Sequence, residues 1–260
     1  MGKIIAVANQ KGGVGKTTST VNLAACVGQL RKKVLLIDID PQGNATSGVG
    51  VNKRAVEASS YDLLIGTAKA EDVILKTSFK NLSVIPSNIQ LAGAEIELVD
   101  MEDRVNMLKK AIAAQKEQFD YIFIDCPPSL GLITLNALTA CDTLFIPIQC
   151  EYYALEGLSQ LMATVRQVKR LYNPNIDLEG VLLTMYDGRL NLTAQVLSEV
   201  KKYYGEKVYK TTIPRNVRLS EAPSYGQPVF YYDKSSSGTR AYIELANEFI
   251  KRNKEASKWQ

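Results

Sequence analysis

Apolar residues in this chain fall into short dense runs separated by longer stretches of helical spacing. Residues 3–8, 33–39, 82–85, 121–124, 143–148 and 181–185 are rich in Val, Ile, Leu and Phe and read as strands. Several are continuous rather than alternating, the pattern of strands buried on both faces of a parallel sheet. Between them, residues 17–30, 104–118, 133–139, 155–171, 193–204 and 240–252 read as helices. In the fourth of these, Leu158, Leu161, Met162, Val165 and Val168 recur at helical spacing. Residues 43–60 and 225–238, rich in Gly, Ser and other turn formers, read as loops. The alternation predicts an α/β fold: a doubly wound, mostly parallel sheet with helices on both faces. There is no internal repeat or linker, so residues 1–260 are expected to form one domain.

Composition narrows the chemistry. The chain has 260 residues, 46% hydrophobic and 22% charged, enough for a sizeable core and unlike a disordered, collagenous or coiled-coil chain. It contains no histidine. That excludes His-ligated metals, a Ser–His–Asp triad, a Cys–His nucleophile and an imidazole proton shuttle. Catalysis is left to carboxylates, lysines, backbone amides, hydroxyls or a metal held by oxygen. Cys26, Cys126, Cys141 and Cys150 show no C-x-x-C spacing and read as small buried residues of a reduced chain. The first apolar run is too short for a signal peptide. The longest uncharged stretch, 126–141, contains Pro127 and Pro128 and falls short of the roughly 20 residues that span a bilayer. A cytoplasmic protein is expected.

One segment carries most of the function: Lys11-Gly12-Gly13-Val14-Gly15-Lys16-Thr17-Thr18, between a strand and a helix. This is the context of a phosphate-binding P-loop. The glycines let the backbone wrap phosphates with its N–H groups inward, and the helix N-terminus adds its dipole. Lys16 would reach the β- and γ-phosphates and the Thr17 hydroxyl would hold Mg²⁺. Gln10 replaces the first glycine of the common pattern and Lys11 follows it. On residues alone, Lys11 is either a solvated loop lysine or a second cation for phosphate.

Two acidic groups stand at predicted strand ends, where open α/β sheets bind ligands. In Asp38-Ile39-Asp40-Pro41-Gln42-Gly43-Asn44, the two aspartates point to one side of an extended chain. An aspartate here could position or activate water beside a γ-phosphate: Asp40 reads as functional, and Asp38 as either functional or a structural, supporting residue. In Tyr121-Ile122-Phe123-Ile124-Asp125, four β-formers end in an acid, the Walker-B pattern, with Asp125 supporting Mg²⁺ directly or through water.

Together with Gln149-Cys150-Glu151-Tyr152-Tyr153-Ala154-Leu155-Glu156-Gly157 and Ile213-Pro214-Arg215-Asn216-Val217-Arg218-Leu219-Ser220-Glu221, these motifs resemble the ParA/Soj partitioning ATPases over nearly the whole chain. The short chromosomal Soj type is the nearest, without the N-terminal helix-turn-helix domain of the larger plasmid proteins. The resemblance implies a P-loop NTPase that uses ATP and Mg²⁺ and closes into an ATP sandwich dimer. Residues 12–15 and Lys16, Thr17 and Thr18 would bind phosphate and metal. Lys11 would reach across to the partner's phosphates. Asp40 would orient the attacking water and touch Mg²⁺ through water. Adenine is expected near Met185, Pro214, Arg215 and Asn216. The dimer would bind double-stranded DNA without sequence preference, placing the protein on the nucleoid. A ParB/Spo0J-like centromere-binding protein would stimulate hydrolysis.

Charge placement fits that expectation. The net charge is only +4, yet residues 181–260 hold 13 Lys/Arg against 8 Asp/Glu. Charge alone favours an ordinary solvated face. By resemblance, Arg189 and Arg218 contact DNA phosphate, with Lys201, Lys202, Lys207, Lys210 and Arg215 as further candidates. Three other readings share the P-loop. A MinD-type membrane-associated ATPase needs an apolar C-terminal anchor, and residues 251–260 offer only Ala256 and Trp259. A nitrogenase-type iron–sulfur protein needs cysteines in a glycine-rich surround, unlike Cys126-Pro127-Pro128. A bacterial tyrosine kinase ends in a tyrosine cluster, whereas Tyr152-Tyr153, Tyr203-Tyr204 and Tyr231-Tyr232 are internal.

Overall fold

All six predicted strands pair within one sheet. The structure, a computed structural model, describes residues 2–151 and 154–256. Strands β1 (Lys3–Val7), β2 (Val34–Asp38), β3 (Leu75–Lys76), β4 (Leu82–Ile85), β5 (Tyr121–Asp125), β6 (Thr143–Gln149) and β7 (Asp177–Thr184) are ordered β3-β4-β2-β5-β1-β6-β7. Every pairing is parallel except that of the two-residue edge strand β3 with β4. The helices are α1 (Lys16–Gln29), α2 (Asn44–Gly48), α3 (Ser60–Ile65), α4 (Ala70–Val73), α5 (Leu91–Glu97), α6 (Met107–Ile112), α7 (Leu132–Ala140), α8 (Ala154–Leu171), α9 (Asn191–Tyr204), α10 (Val217–Glu221), α11 (Val229–Tyr232) and α12 (Ser237–Ala256).

Strand alternation divides the interior into two cores. Ile4, Ala6, Ile122 and Ile124 face a layer holding Leu63, Leu91, Leu108, Ile133, Leu158 and Val196, from α3 and α5–α9. Ile5, Val7, Tyr121 and Phe123 face the other layer, built chiefly from α1 and α12. There Phe249 packs on Tyr121 and Phe123, with ring centroids 5.0 and 5.5 Å apart. Both faces of the central strands are therefore sealed, as the continuous apolar runs require.

Four sequence readings need correction. The helix expected over 104–118 starts at Met107 and tightens into a 3-10 turn at Ala113–Glu117. Its first turn is fixed from outside by Asn136 on α7, whose side chain accepts from Leu108 N–H and donates to the Arg104 carbonyl. The last strand runs Asp177–Thr184 rather than 181–185. Its polar first half is stabilised by a buried Glu179, which accepts from Lys3 at 2.5 Å, Thr143 at 2.7 Å and Asn253 at 2.8 Å. The stretch 43–60 contains α2 and the start of α3, and 225–238 contains α11 and the start of α12. The short helices of these stretches have too few turns to show a period, and tertiary contacts hold them.

Candidate active site

The site is assembled at the carboxyl ends of β1, β5 and β2. After β1 the chain enters the glycine loop, and two glycines there need the left-handed region: Gly13 at φ 74° and Gly15 at φ 83°. A side chain at Gly12 or Gly13 would meet nothing within 4 Å, so the loop presents open backbone rather than packed structure. Asn9 ties the loop to β6: its amide donates to the Pro147 carbonyl at 2.8 Å and accepts from Lys11 N–H at 3.0 Å. On the other side, the Thr184 hydroxyl at the end of β7 donates to Val14 O at 2.8 Å.

Lys16, the first residue of α1, is 7% exposed. Its ammonium donates to the Lys11 carbonyl at 3.0 Å. Burial pushes its pKa down, while the nearby Asp125 and Asp40 carboxylates push it up. A buried cation whose only hydrogen-bond acceptor among the described residues is a neutral carbonyl is well suited to an anionic ligand. Beneath it, the Thr17 hydroxyl donates to Asp125 at 2.7 Å, and Thr20 donates to the other carboxylate oxygen at 2.8 Å. Asp125 is fully buried, and desolvation, reinforced by Asp38, raises its pKa strongly. The half-buried Thr17 hydroxyl and the buried Asp125 carboxylate in contact form an oxygen donor pair suited to Mg²⁺, which would relieve that raised pKa. Among the described residues no group of three or more His, Cys, Asp or Glu could hold a metal alone. Nucleotide phosphates would have to complete the coordination, as is usual for Mg²⁺.

Asp38 and Asp40 have different environments. Asp38 is fully buried and accepts from Thr46 N–H at 2.8 Å, the Thr46 hydroxyl at 2.7 Å and Asp40 N–H at 3.1 Å. Burial raises its pKa and these bonds partly offset that. It organises the turn and resolves the alternatives left by sequence toward structure. Among the described residues the Asp40 carboxylate accepts only from Gln42 N–H, at 2.9 Å, and the Asp40 carbonyl accepts from the Ser87 hydroxyl at 2.8 Å. The residue itself is buried, at 8% exposure.

Lys11 does not point free into solvent. Its half-buried ammonium pairs with Glu151, just past β6. Beyond β7, Met185 adopts φ 48° and Tyr186 bridges to Pro214, with Tyr186 N–H donating to Ile213 O at 2.9 Å. Met185 thus follows directly on Thr184, against which Gly15 of the glycine loop packs, and Pro214 is bridged to the next residue, Tyr186. Asn216 caps α10 by accepting from Arg218 N–H at 3.0 Å.

The basic candidates separate into two groups. Arg189, 89% exposed in its side chain, pairs with Asp187, and Arg218 with Glu221 and Asp233. These, with exposed Arg215, lie at the P-loop end of the sheet. Lys207 pairs with Asp177 at the opposite end of β7, roughly 25 Å away along an eight-residue strand. Lys207 and Lys210 line a groove of about 1440 Å³ at the amino ends of the strands, where acidic side chains nearly match the basic ones. Lys201 and Lys202 are exposed near the end of α9. The seven candidates therefore do not form one continuous patch. All four cysteines are buried thiols, with Cys126 pushed up by desolvation, so none is displayed for a shared cluster. Tyr152 and Tyr153 lie outside the described residues, as do Lys258 and Trp259 of the tail.

Sequence reasoning missed Thr20, Thr46, Ser87 and Glu95. Glu95 on α5 accepts from Leu132 and Ile133 N–H at 2.9 and 3.2 Å, holding the start of α7 just after the Asp125 loop. Thr20 carried a usable signal, lying one helical turn beyond Lys16 on the buried face of α1. Ser87 and Glu95 act across separations of 47 and 37 residues, and Thr46, eight residues beyond Asp38, lies in the short helix α2, which carried no readable period.

A glycine loop between buried strand and helix, a buried lysine and a hydroxyl–carboxylate pair define a P-loop nucleotide-hydrolysing protein. The AAA domain family model matches residues 2–178. The sporulation initiation inhibitor protein Soj of Bacillus subtilis (strain 168) is 62% identical over 248 residues, covering 95% of this chain and 98% of that protein. The chromosome-partitioning ATPase Soj of Treponema pallidum (strain Nichols) is 50% identical over 253 residues, covering 97% and 99%. A Mycobacterium smegmatis structure described as cobyrinic acid a,c-diamide synthase with bound ADP and magnesium superposes with a TM-score of 0.86 at 36% identity, covering 98% and 97%. The chain belongs to the Soj/ParA family of partitioning ATPases. It is an ATPase, and its cofactors are ATP and Mg²⁺.

Proposed function

We propose that this chain is a single-domain DNA-partitioning ATPase in which ATP and Mg²⁺ close a homodimer that holds DNA without sequence preference, and hydrolysis stimulated by a ParB/Spo0J-like protein releases it. The observation that carries this reading is that Arg189, Arg215 and Arg218 are exposed at the end of the sheet that carries the glycine loop. Nucleotide state and phosphate-seeking arginines can then be coupled through the short segment joining Thr184 to Arg189. Arginine suits backbone phosphate because its fork donates two parallel bonds, and the exposed ion pairs of Arg189 and Arg218 are readily exchanged for that contact.

Within the site, the backbone amides of residues 12–15 and the Lys16 ammonium would hold the phosphates. The Thr17 hydroxyl and Asp125 would hold Mg²⁺, which supplies charge neutralisation at the transferred phosphoryl group. Thr18 would add a phosphate contact, and Met185, Pro214, Arg215 and Asn216 would flank the base. Asp40 would orient the attacking water. Lys11 would leave Glu151 and reach the partner's phosphates, supplying transition-state charge only when the dimer is assembled. The expected site of action is the nucleoid. No helix among the described residues is long and apolar enough to cross a membrane.

The test uses Asp40→Ala and Lys16→Ala in DNA-retention assays with ATP. Asp40→Ala should hold DNA persistently while hydrolysing at least about 100-fold more slowly, the order expected for loss of one general-base function. Lys16→Ala should lose nucleotide-dependent retention altogether. Wild-type turnover by Asp40→Ala, or normal ATP-dependent retention by Lys16→Ala, would overturn these assignments.

A further inference from the structure

Helix α5 is apolar on two opposite sides. Leu91, Ala94 and Leu98 are fully buried against the sheet layer. On the solvent side Ile89, Ile96 and Val99 are 71, 76 and 49% exposed. Of the three, Ile96 lies within α5, Ile89 in the turn before it and Val99 in the 3-10 turn after it, so exposed aliphatics recur along this one segment. Scattered exposed apolar residues are ordinary, but three exposed branched aliphatics on and beside a short helix whose inner face is already apolar are not explained by folding. Carboxylates surround the row. Between Ile89 and Arg104 the chain carries five acidic residues and one basic one. Asp103 is paired with Lys110, Arg104 donates to Val99 O, and exposed Glu97, Asp100 and Glu102 leave the rim negative.

We propose that this face of α5 is a docking surface for a basic amphipathic helix of a partner protein, whose apolar side covers Ile89, Ile96 and Val99 and whose lysines or arginines meet Glu97, Asp100 and Glu102. Charge selects this occupant. A second copy docking the same face on itself would set the two acidic rims against each other. An anionic membrane would be repelled by them. A basic helix pairs with the rim while filling the row, the helix-on-groove mode of recognition. The surface adjoins the catalytic machinery through Glu95, which on the same helix holds the first two N–H groups of α7. The surface stands whether or not the chain retains DNA.

The test is fluorescence anisotropy with the full chain and a labelled synthetic Lys/Leu amphipathic peptide at ~0.1 M salt, where charges still act over about 10 Å. Saturable binding is expected to weaken at least about tenfold in Ile96→Glu and in the Asp100→Lys/Glu102→Lys double variant, and to persist in Ile96→Leu. Circular dichroism and basal ATP turnover should be unchanged in all three, since none of these residues touches the nucleotide site. Binding that is absent, or equal in wild type and Ile96→Glu, would overturn the proposal. So would equal binding of a Glu/Leu peptide. Wild-type self-association, or co-sedimentation with phosphatidylglycerol vesicles, that Ile96→Glu abolishes would overturn it in favour of those occupants. Loss of ATP-dependent DNA retention in the wild type would instead strike the function proposed above and leave the peptide result to judge this surface.

Discussion

Asp125 and Asp38 hold two carboxyl groups fully out of water, Asp125 beside the buried Lys16. Their pKa values are raised by desolvation, which fixes the sign of a pH effect. A carboxyl raised in the folded state stabilises the fold below its unfolded value of about 4, and that contribution is lost as pH climbs through the raised value. Nucleotide-free Asp125→Asn should therefore gain stability relative to wild type as pH rises from about 5 to about 8, measured by thermal melting. A pH-independent difference would mean that Asp125 ionises normally. Lys11 gives a second residue-scale prediction. Its pairing with Glu151 must break before it reaches another subunit. Glu151→Gln should tighten ATP-dependent self-association by up to about fivefold, the range of a partly exposed ion pair, by sedimentation velocity. Weaker association would show that Glu151 has another role in the assembled state.

At the level of elements, α12 completes one whole face of the sheet, and Phe249 is its central anchor against Tyr121 and Phe123. Phe249→Ala should cost about 3–5 kcal/mol in urea unfolding, as emptied aromatic sites do. A loss below about 1 kcal/mol would mean that α12 is not integral to the core. Long elements such as this were legible because their periods run for several turns and their strands carry near-continuous aliphatics. The small helices α2, α3, α5, α10 and α11 were not. Two carried a readable sign: Ser59 and Asp62 form a capping box at α3, with Asp62 accepting from Ser59 N–H at 2.8 Å, and Asn216 caps α10. The P-loop, Asp40 and Asp125 were legible because chemistry and local geometry share one short segment each. Glu151 stands within a recognisable motif, but its contact with Lys11, 140 residues away, exists only once the sheet closes.

For the whole molecule, the central claim is that ATP turnover at one end of the sheet governs DNA retention by arginines at that same end. Arg189→Glu combined with Arg218→Glu should abolish retention while preserving ATP-dependent dimerisation. Lys207→Glu, at the far end of β7, should leave retention largely intact if the two basic groups act separately. The most direct measurement is retention of a non-specific DNA duplex by the wild-type chain with Mg·ATP and with Mg·ADP across a salt series. The account predicts retention with ATP alone, falling steeply with salt at a log–log slope of about −0.9 per phosphate contacted. Equal retention in both nucleotides, or retention with ATP that salt does not weaken, would contradict it.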